Sequence, residues 1–139
     1  MGAKLDSLIR FQKWELDAKR RDLAALEEER DQITGNIDQL IAEFEAEKAH
    51  AGHEAATLMM GAYAVGVDIR RQALDEALEA KEKEVQAMRD EVTHAYQELK
   101  TYEVAHDNRL KEEQKELARQ EGLMLDEQGM QSFIRGQGE

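Results

Sequence analysis

The stretch from Leu5 to Glu47 constrains this chain more than any other. Steps of four and three residues, taken in strict alternation, land on Leu5, Ile9, Gln12, Leu16, Lys19, Leu23, Leu26, Arg30, Ile33, Ile37, Leu40, Phe44 and Glu47. Nine of these thirteen positions are apolar. A repeat averaging 3.5 residues holds one stripe of a slightly underwound helix against a partner, which is the seam of a left-handed coiled coil. No proline interrupts it, and Gly35 is the only glycine inside it. Such a segment forms one helix about 65 Å long, and its single apolar stripe requires something to pack against.

Composition agrees with this reading. Charged residues make up 36% of the 139, aromatics only 5%, and Ala, Glu, Lys, Leu and Arg dominate, the profile of long helices rather than a packed globule. There is no cysteine, which excludes disulfides and thiolate metal sites. No apolar run is long enough to span a bilayer, and no apolar segment at the start marks a secretory signal. Gly2 invites a myristoylation reading, but Asp6 stands where that motif needs Ser or Thr. The expectation is a soluble, cytoplasmic chain with no direct membrane insertion.

Net charge is −12, which argues against a general nucleic-acid binder. Residues 1–21 hold six bases (Lys4, Arg10, Lys13, Lys19, Arg20, Arg21) against three acids (Asp6, Glu15, Asp17), a balance of +3. The remainder therefore carries −15, and such asymmetry implies different partners for different parts of the chain.

The expected architecture is a single all-α unit over 1–139, a long two-helix antiparallel coiled-coil hairpin. Helix one covers about 3–49. A glycine-punctuated stretch around Gly52, Gly61 and Gly66 forms the tip, about 50–66, with one loose helical turn around Ala55–Met60. In helix two, about 67–121, the seam resumes through Val67, Arg71, Leu74, Leu78, Lys81, Val85, Met88, Val92, Ala95, Leu99, Tyr102 and His106. Two successive steps of four, Tyr102 to His106 to Leu110, predict a stutter there. The helix is expected to fray or stop near Gly122, leaving 122–139 as a last short segment and tail. Because a short tip cannot span a helix length, the two helices run antiparallel. If Glu47 faces Val67, then Leu5 faces roughly residue 109, and everything after about Leu110 overhangs the start of helix one. That overhang holds Leu117, Leu123, Met124, Leu125, Met130, Phe133 and Ile134, and exposed apolar residues in such number mark a contact surface.

Catalytic and ligand chemistry finds little support. His50-Ala-Gly-His53-Glu54 places its histidines three apart across a glycine, whereas a zincin box needs them four apart on a helix. Gly61-Ala-Tyr-Ala-Val-Gly66 has the outer spacing of a phosphate loop, but Val67-Asp68 stands where Lys and Ser/Thr are required. The carboxylates lie on solvated faces, where no cleft shifts their pKa for acid–base work. The reading is a non-enzyme with no cofactor. Trp14, the only tryptophan, lies off the seam beside Lys13: it either packs on the overhang or anchors a partner.

Two segments carry a family resemblance. The opening from Leu5 to Arg21, LDSLIRFQKWELDAKRR, is similar to the start of the flagellar export protein FliJ family, with its Leu-Ile-Arg segment, a Lys-Arg-Arg cluster and then apolar heptads. The ending, Arg119-Gln-Glu followed by Leu125-Asp-Glu127, resembles that family's C-terminus, with Gly122 and Met124 inserted between. The resemblance implies an antiparallel coiled coil like the central stalk (gamma subunit) of rotary ATPases. Its end bearing both termini would sit in the pore of the export ATPase (FliI) hexamer, and a region nearer the tip would touch the cytoplasmic domain of the export gate (FlhA). Export chaperones are further implied partners, and the location is the inner face of the bacterial cell membrane. The residues it singles out are Arg10, Lys13, Trp14, Lys19, Arg20, Arg21, Leu117 and Leu125 for the ATPase, and Ile41, Phe44, Tyr63 and Leu74 for the gate. The competing readings are a generic dimerising coiled-coil adaptor and the equivalent stalk of an injectisome-type secretion system.

Overall fold

The computed structural model describes residues 2–50 and 54–137, with side chains over 3–50 and 59–137. All the described residues are helical, in α1 (Gly2–His50) and α2 (Glu54–Gln137). The two helices pack against each other as an antiparallel hairpin: Asp6 meets His106, Glu29 meets Lys81, and Phe44 meets Tyr63. The partner that the apolar stripe of α1 demands is thus supplied by the same chain, which removes the need for a second copy to pair the helices.

Two helix boundaries differ from expectation. α2 begins at Glu54 rather than near Val67, so most of the expected tip is helix and the loose turn at Ala55–Met60 is part of it. The Ala51-Gly52-His53 turn lies outside the described residues. Second, α2 runs through Gly122 to Gln137 instead of stopping. The reason is the same in both places. An isolated glycine costs a helix only about 1 kcal/mol relative to alanine, and the Ala-, Met- and Leu-rich neighbours of Gly61 and Gly122 offset that when no proline follows.

The described residues divide into two compact units, one of 14–50 with 54–96 and the other of 2–13 with 97–137. In the first, Leu16, Ile37, Leu40, Val67, Val85 and Ala95 are buried. The remaining seam positions from Lys19 to Phe44 and from Arg71 to Val92 are half-buried, so burial follows the 3.5 repeat on both helices. Glu47, the last expected seam position of α1, is exposed. Two charged seam residues, Lys81 and Arg30, reach acids on the opposite helix. Lys81 Nζ donates to Glu29 at 2.7 Å and to Glu84 at 2.8 Å, while Arg30 lies 3.9 Å from Glu82. Hydrogen bonds to Glu29 and then Glu84 raise the Lys81 pKa above the ordinary lysine range.

In the second unit, Gln12 and Leu99 are buried and Leu5, Ile9, Tyr102 and His106 half-buried. Gln12 Oε1 finds no hydrogen-bond partner among the described residues. A polar residue in a coiled-coil seam specifies register at a cost in stability. His106 Nε2 lies 2.9 Å from Asp6, two residues from the expected alignment. Beyond it the half-buried residue is Arg109, while Leu110 is exposed. The step of three from His106 to Arg109 thus keeps the 3.5 repeat, and the expected second step of four to Leu110 is not seen.

Candidate partner-binding surfaces

In the unit of 2–13 with 97–137, every residue from Leu110 to Gln137 is exposed although all are helical. Local ion pairs support the unpaired helix: Arg109 to Glu113 at 3.4 Å, Glu112 to Lys115 at 3.9 Å, and Glu116 to Arg119 at 2.7 Å. Such pairs at i,i+3 and i,i+4 each add a few tenths of a kcal/mol to a helix. The Arg119 guanidinium, with a smaller contribution from Gln120, holds the Glu116 carboxyl below the usual carboxylate range.

The apolar residues of this overhang do not form a stripe. Successive residues of a helix lie about 100° apart. Leu123, Met124 and Leu125 therefore spread over roughly 200° of its circumference, Phe133 and Met130 fall in the remaining arc, and Ile134 returns to the side of Leu123. All six are more than half exposed. Asp126, Glu127, Gln128, Gln131 and Ser132 are interspersed with them, so apolar and polar residues alternate around the helix rather than dividing into two faces. On one flank Leu125, Asp126, Gly129, Met130, Phe133 and Ile134 outline a shallow apolar depression.

The sequence-selected basic residues divide between the units. Arg10 and Lys13 are exposed in the unit that holds Leu117 and Leu125, beside a shallow depression also lined by Asp6, Ile9, Glu103, His106 and Asp107. Leu117 and Leu125 are both exposed, Leu125 at 67%. In the unit of 14–50 with 54–96, Trp14 keeps 62% of its surface open. Lys19 is half-buried along the seam, Arg20 is exposed 4.0 Å from Asp17, and Arg21 is exposed.

The four residues selected for a gate contact fare differently. Ile41 is exposed. Tyr63, which the sequence reading places in the tip, stacks on Phe44, with ring centroids 6.0 Å apart and planes 17° from parallel. Lys48 Nζ caps that pair 5.3 Å from the Phe44 ring. Leu74 is half-buried in the seam. The expectation for Tyr63 placed it in a loop; once α2 includes it, its seam-side position turns the ring toward α1.

Sequence reasoning missed two exposed apolar sets. Val65 and Ile69, four apart on α2 and opposite its seam, are exposed together with Met59. Their i,i+4 spacing was the available signal, hidden because the stretch was assigned to the tip. Leu8 and Phe11 are exposed on the outer face of α1, where Ala3, Lys4, Ser7 and Leu8 outline a second shallow apolar depression. The Gly61–Gly66 stretch is helical and so forms no phosphate loop. Of the His50–His53 pair, His53 lies outside the described residues. Among the described residues no helix is long and apolar enough to cross a membrane.

The model of one family, described as Flagellar FliJ protein, matches residues 1–138. The chain belongs to the FliJ family. No curated protein and no solved structure matches it. Membership in the FliJ family makes the chain a component of the flagellar protein export apparatus, in a family without catalytic activity. The injectisome alternative thus gives way to the flagellar system.

Proposed function

We propose that this FliJ-family chain is the central stalk of the flagellar export machinery, linking the export ATPase ring to the membrane export gate without itself catalysing a reaction. It works in the cytoplasm, at the inner face of the cell membrane, and escorts export chaperones. The observation that carries the reading is the overhang from Leu110 to Gln137, exposed throughout, with apolar residues on every side between Leu123 and Ile134 rather than along one stripe. A single neighbouring helix would cover one side of such a segment; the pore of a ring covers all of them. Two uninterrupted helices that pack along a regular 3.5-residue seam suit a part that transmits position.

We assign to the ATPase contact Leu117 and Leu125 with Arg10 and Lys13 from one unit, and Trp14, Lys19, Arg20 and Arg21 from the other. The gate contact falls to Ile41, with the open edges of Phe44 and Tyr63, and Leu74 acts there by supporting the seam. The deciding experiment is co-purification with the export ATPase while ATP hydrolysis is measured. The expected result is a stable complex with raised turnover, lost on charge reversal in the variant Arg20→Glu with Arg21→Glu. No complex, or a complex indifferent to both the charge reversal and Leu125→Asp, would count against the stalk.

A further inference from the structure

The chain contains no cysteine, so the thioethers of its six methionines are its only oxidisable sulfur. Their surroundings differ. Met60 and Met88 are half-buried at seam-spaced positions of α2. Met59 is 75% exposed, Met124 61% and Met130 66%. Met124 and Met130 are both part of the apolar band of the overhang. Met124 supplies the side between Leu123 and Leu125, and Met130 borders the depression floored by Gly129. Unbranched, polarisable methionine is well suited to an irregular apolar contact. Its sulfur is also open to two-electron oxidants when exposed.

We propose that Met124 and Met130 form an oxidation site through which a peroxide-class oxidant loosens the grip of a partner on the overhang. The consequence for binding rests on the stalk reading; the existence of the site does not. In the step, a lone pair on the thioether sulfur attacks one peroxide oxygen. The S–O bond forms as the O–O bond breaks, and the departing hydroxide takes up the proton left on the transferred oxygen. The products are a sulfoxide and water, with sulfur oxidised by two electrons and the peroxide reduced by two. A dithiol reductant reverses it, the oxygen leaving as water and the dithiol closing to a disulfide.

The sulfoxide is polar and chiral. Enclosed by apolar surface, its oxygen would have to give up water without a replacement donor, which is unfavourable. The two sulfurs sit six residues apart, about 9 Å along the axis, so one encircling partner covers both. Neither touches the hairpin's seam, which ends at Arg109. Oxidation therefore acts on the contact surface and spares the fold.

The test treats the full chain with hydrogen peroxide and follows sulfoxide at each methionine by peptide mass spectrometry, with far-ultraviolet circular dichroism on the same samples. Met124 and Met130 are expected to oxidise several-fold faster than Met88, with helicity unchanged. Equal rates, or loss of helicity in step with oxidation, overturn the site. In the second arm, oxidised and untreated chains are titrated onto the export ATPase. The oxidised chain is expected to bind about tenfold more weakly. The double variant Met124→Leu with Met130→Leu, treated identically, is expected to keep its affinity, while Met59→Leu behaves as the parent chain does. An oxidised parent that binds as well as before, or a double variant that loses as much, overturns the proposal. An untreated chain that never binds the ATPase sinks the stalk reading instead, and the oxidation order alone then decides the site.

Discussion

Val85 and Leu125 are apolar residues on the same helix, yet one is 1% exposed and the other 67%. Val85 belongs to a run in which every buried position of α2 obeys the 3.5 repeat and meets a residue of α1. Leu125 belongs to a run in which apolar residues are as frequent but point in every direction, and where α1 has no residue to offer. The difference lies in arrangement, not in hydrophobic content. A one-sided pattern is satisfied inside the hairpin; an all-round pattern can be satisfied only by something that surrounds it.

The strongest way to break this comparison is to place charge in each region. Leu16→Asp with Leu23→Asp puts carboxylates into the seam, where Leu16 is nearly inaccessible. Burying unpaired charge there costs more than about 4 kcal/mol, so circular dichroism should show loss of helicity, and export should be lost with it. Leu123→Asp with Leu125→Asp alters only exposed positions and should move stability by about 0.5 kcal/mol or less per site. Helicity is retained while ATPase binding is lost. If the second pair melts the hairpin as the first does, the overhang is not a free surface. Retained export in the first would count against a rigid stalk.

A smaller effect sharpens the comparison inside the paired region. Gln12 is buried with an acceptor that has no partner among the described residues, and an unsatisfied buried group costs about 1–3 kcal/mol. Gln12→Leu should therefore raise the unfolding midpoint in urea without changing its slope. Gln120, a polar residue of the overhang that is already exposed, should give no such gain when changed to Leu. A midpoint lowered by Gln12→Leu would mean that the amide is satisfied in the folded state.

Much of the fold could be read from spacing alone. Every seam position from Leu5 to Phe44 and from Val67 to His106 is buried or half-buried, because a strict 3.5 repeat has only one packing solution. The overhang followed from counting residues, since antiparallel helices pair one for one. What spacing could not show was where glycine fails to stop a helix. Gly61, Gly66 and Gly122 read as breaks in the sequence, but each sits in a strong helical context with open space around it. A helix that stops at these glycines hides the i,i+4 pair Val65 and Ile69 and leaves Tyr63 in a loop, whereas the ring stacks on Phe44. The basic cluster was legible as residues, while its division between two units was not, because charge runs carry no tertiary information.

Gly35 and Gly122 put the same point to a test of about 1 kcal/mol. Neither has a neighbour within 4 Å of an added Cβ, and neither has a positive φ. Each change to Ala should favour helix by about 1 kcal/mol. Gly35→Ala, within α1 of the hairpin, should raise the thermal midpoint by several degrees. Gly122→Ala should leave that midpoint in place and raise only the amide protection of residues 115–130. Equal shifts in the midpoint would show that the overhang unfolds with the hairpin as one cooperative unit.

The smallest expected effects separate the two regions by pH. The raised pKa of Lys81 means the folded chain binds its proton more tightly than the unfolded chain does. Its contribution is fully present below the unfolded lysine pKa and is lost as pH rises through the folded value. Melting of the parent chain should therefore weaken at strongly alkaline pH, and Lys81→Met should remove that part of the loss. Glu116 behaves in the opposite sense, its pKa lowered by the Arg119 hydrogen bonds at 2.7 and 3.0 Å. Its contribution is present above the ordinary carboxylate range and is lost as pH falls through the folded value. Carbon chemical shifts of residues 116–120 should lose helical character in strong acid, and should do so at higher pH in Arg119→Gln, where Glu116 returns toward its ordinary pKa. Both pairs are solvent-facing, so salt should shrink both effects. If acid instead loosens the Lys81 region first, the overhang's own ion pairs are not what holds it helical.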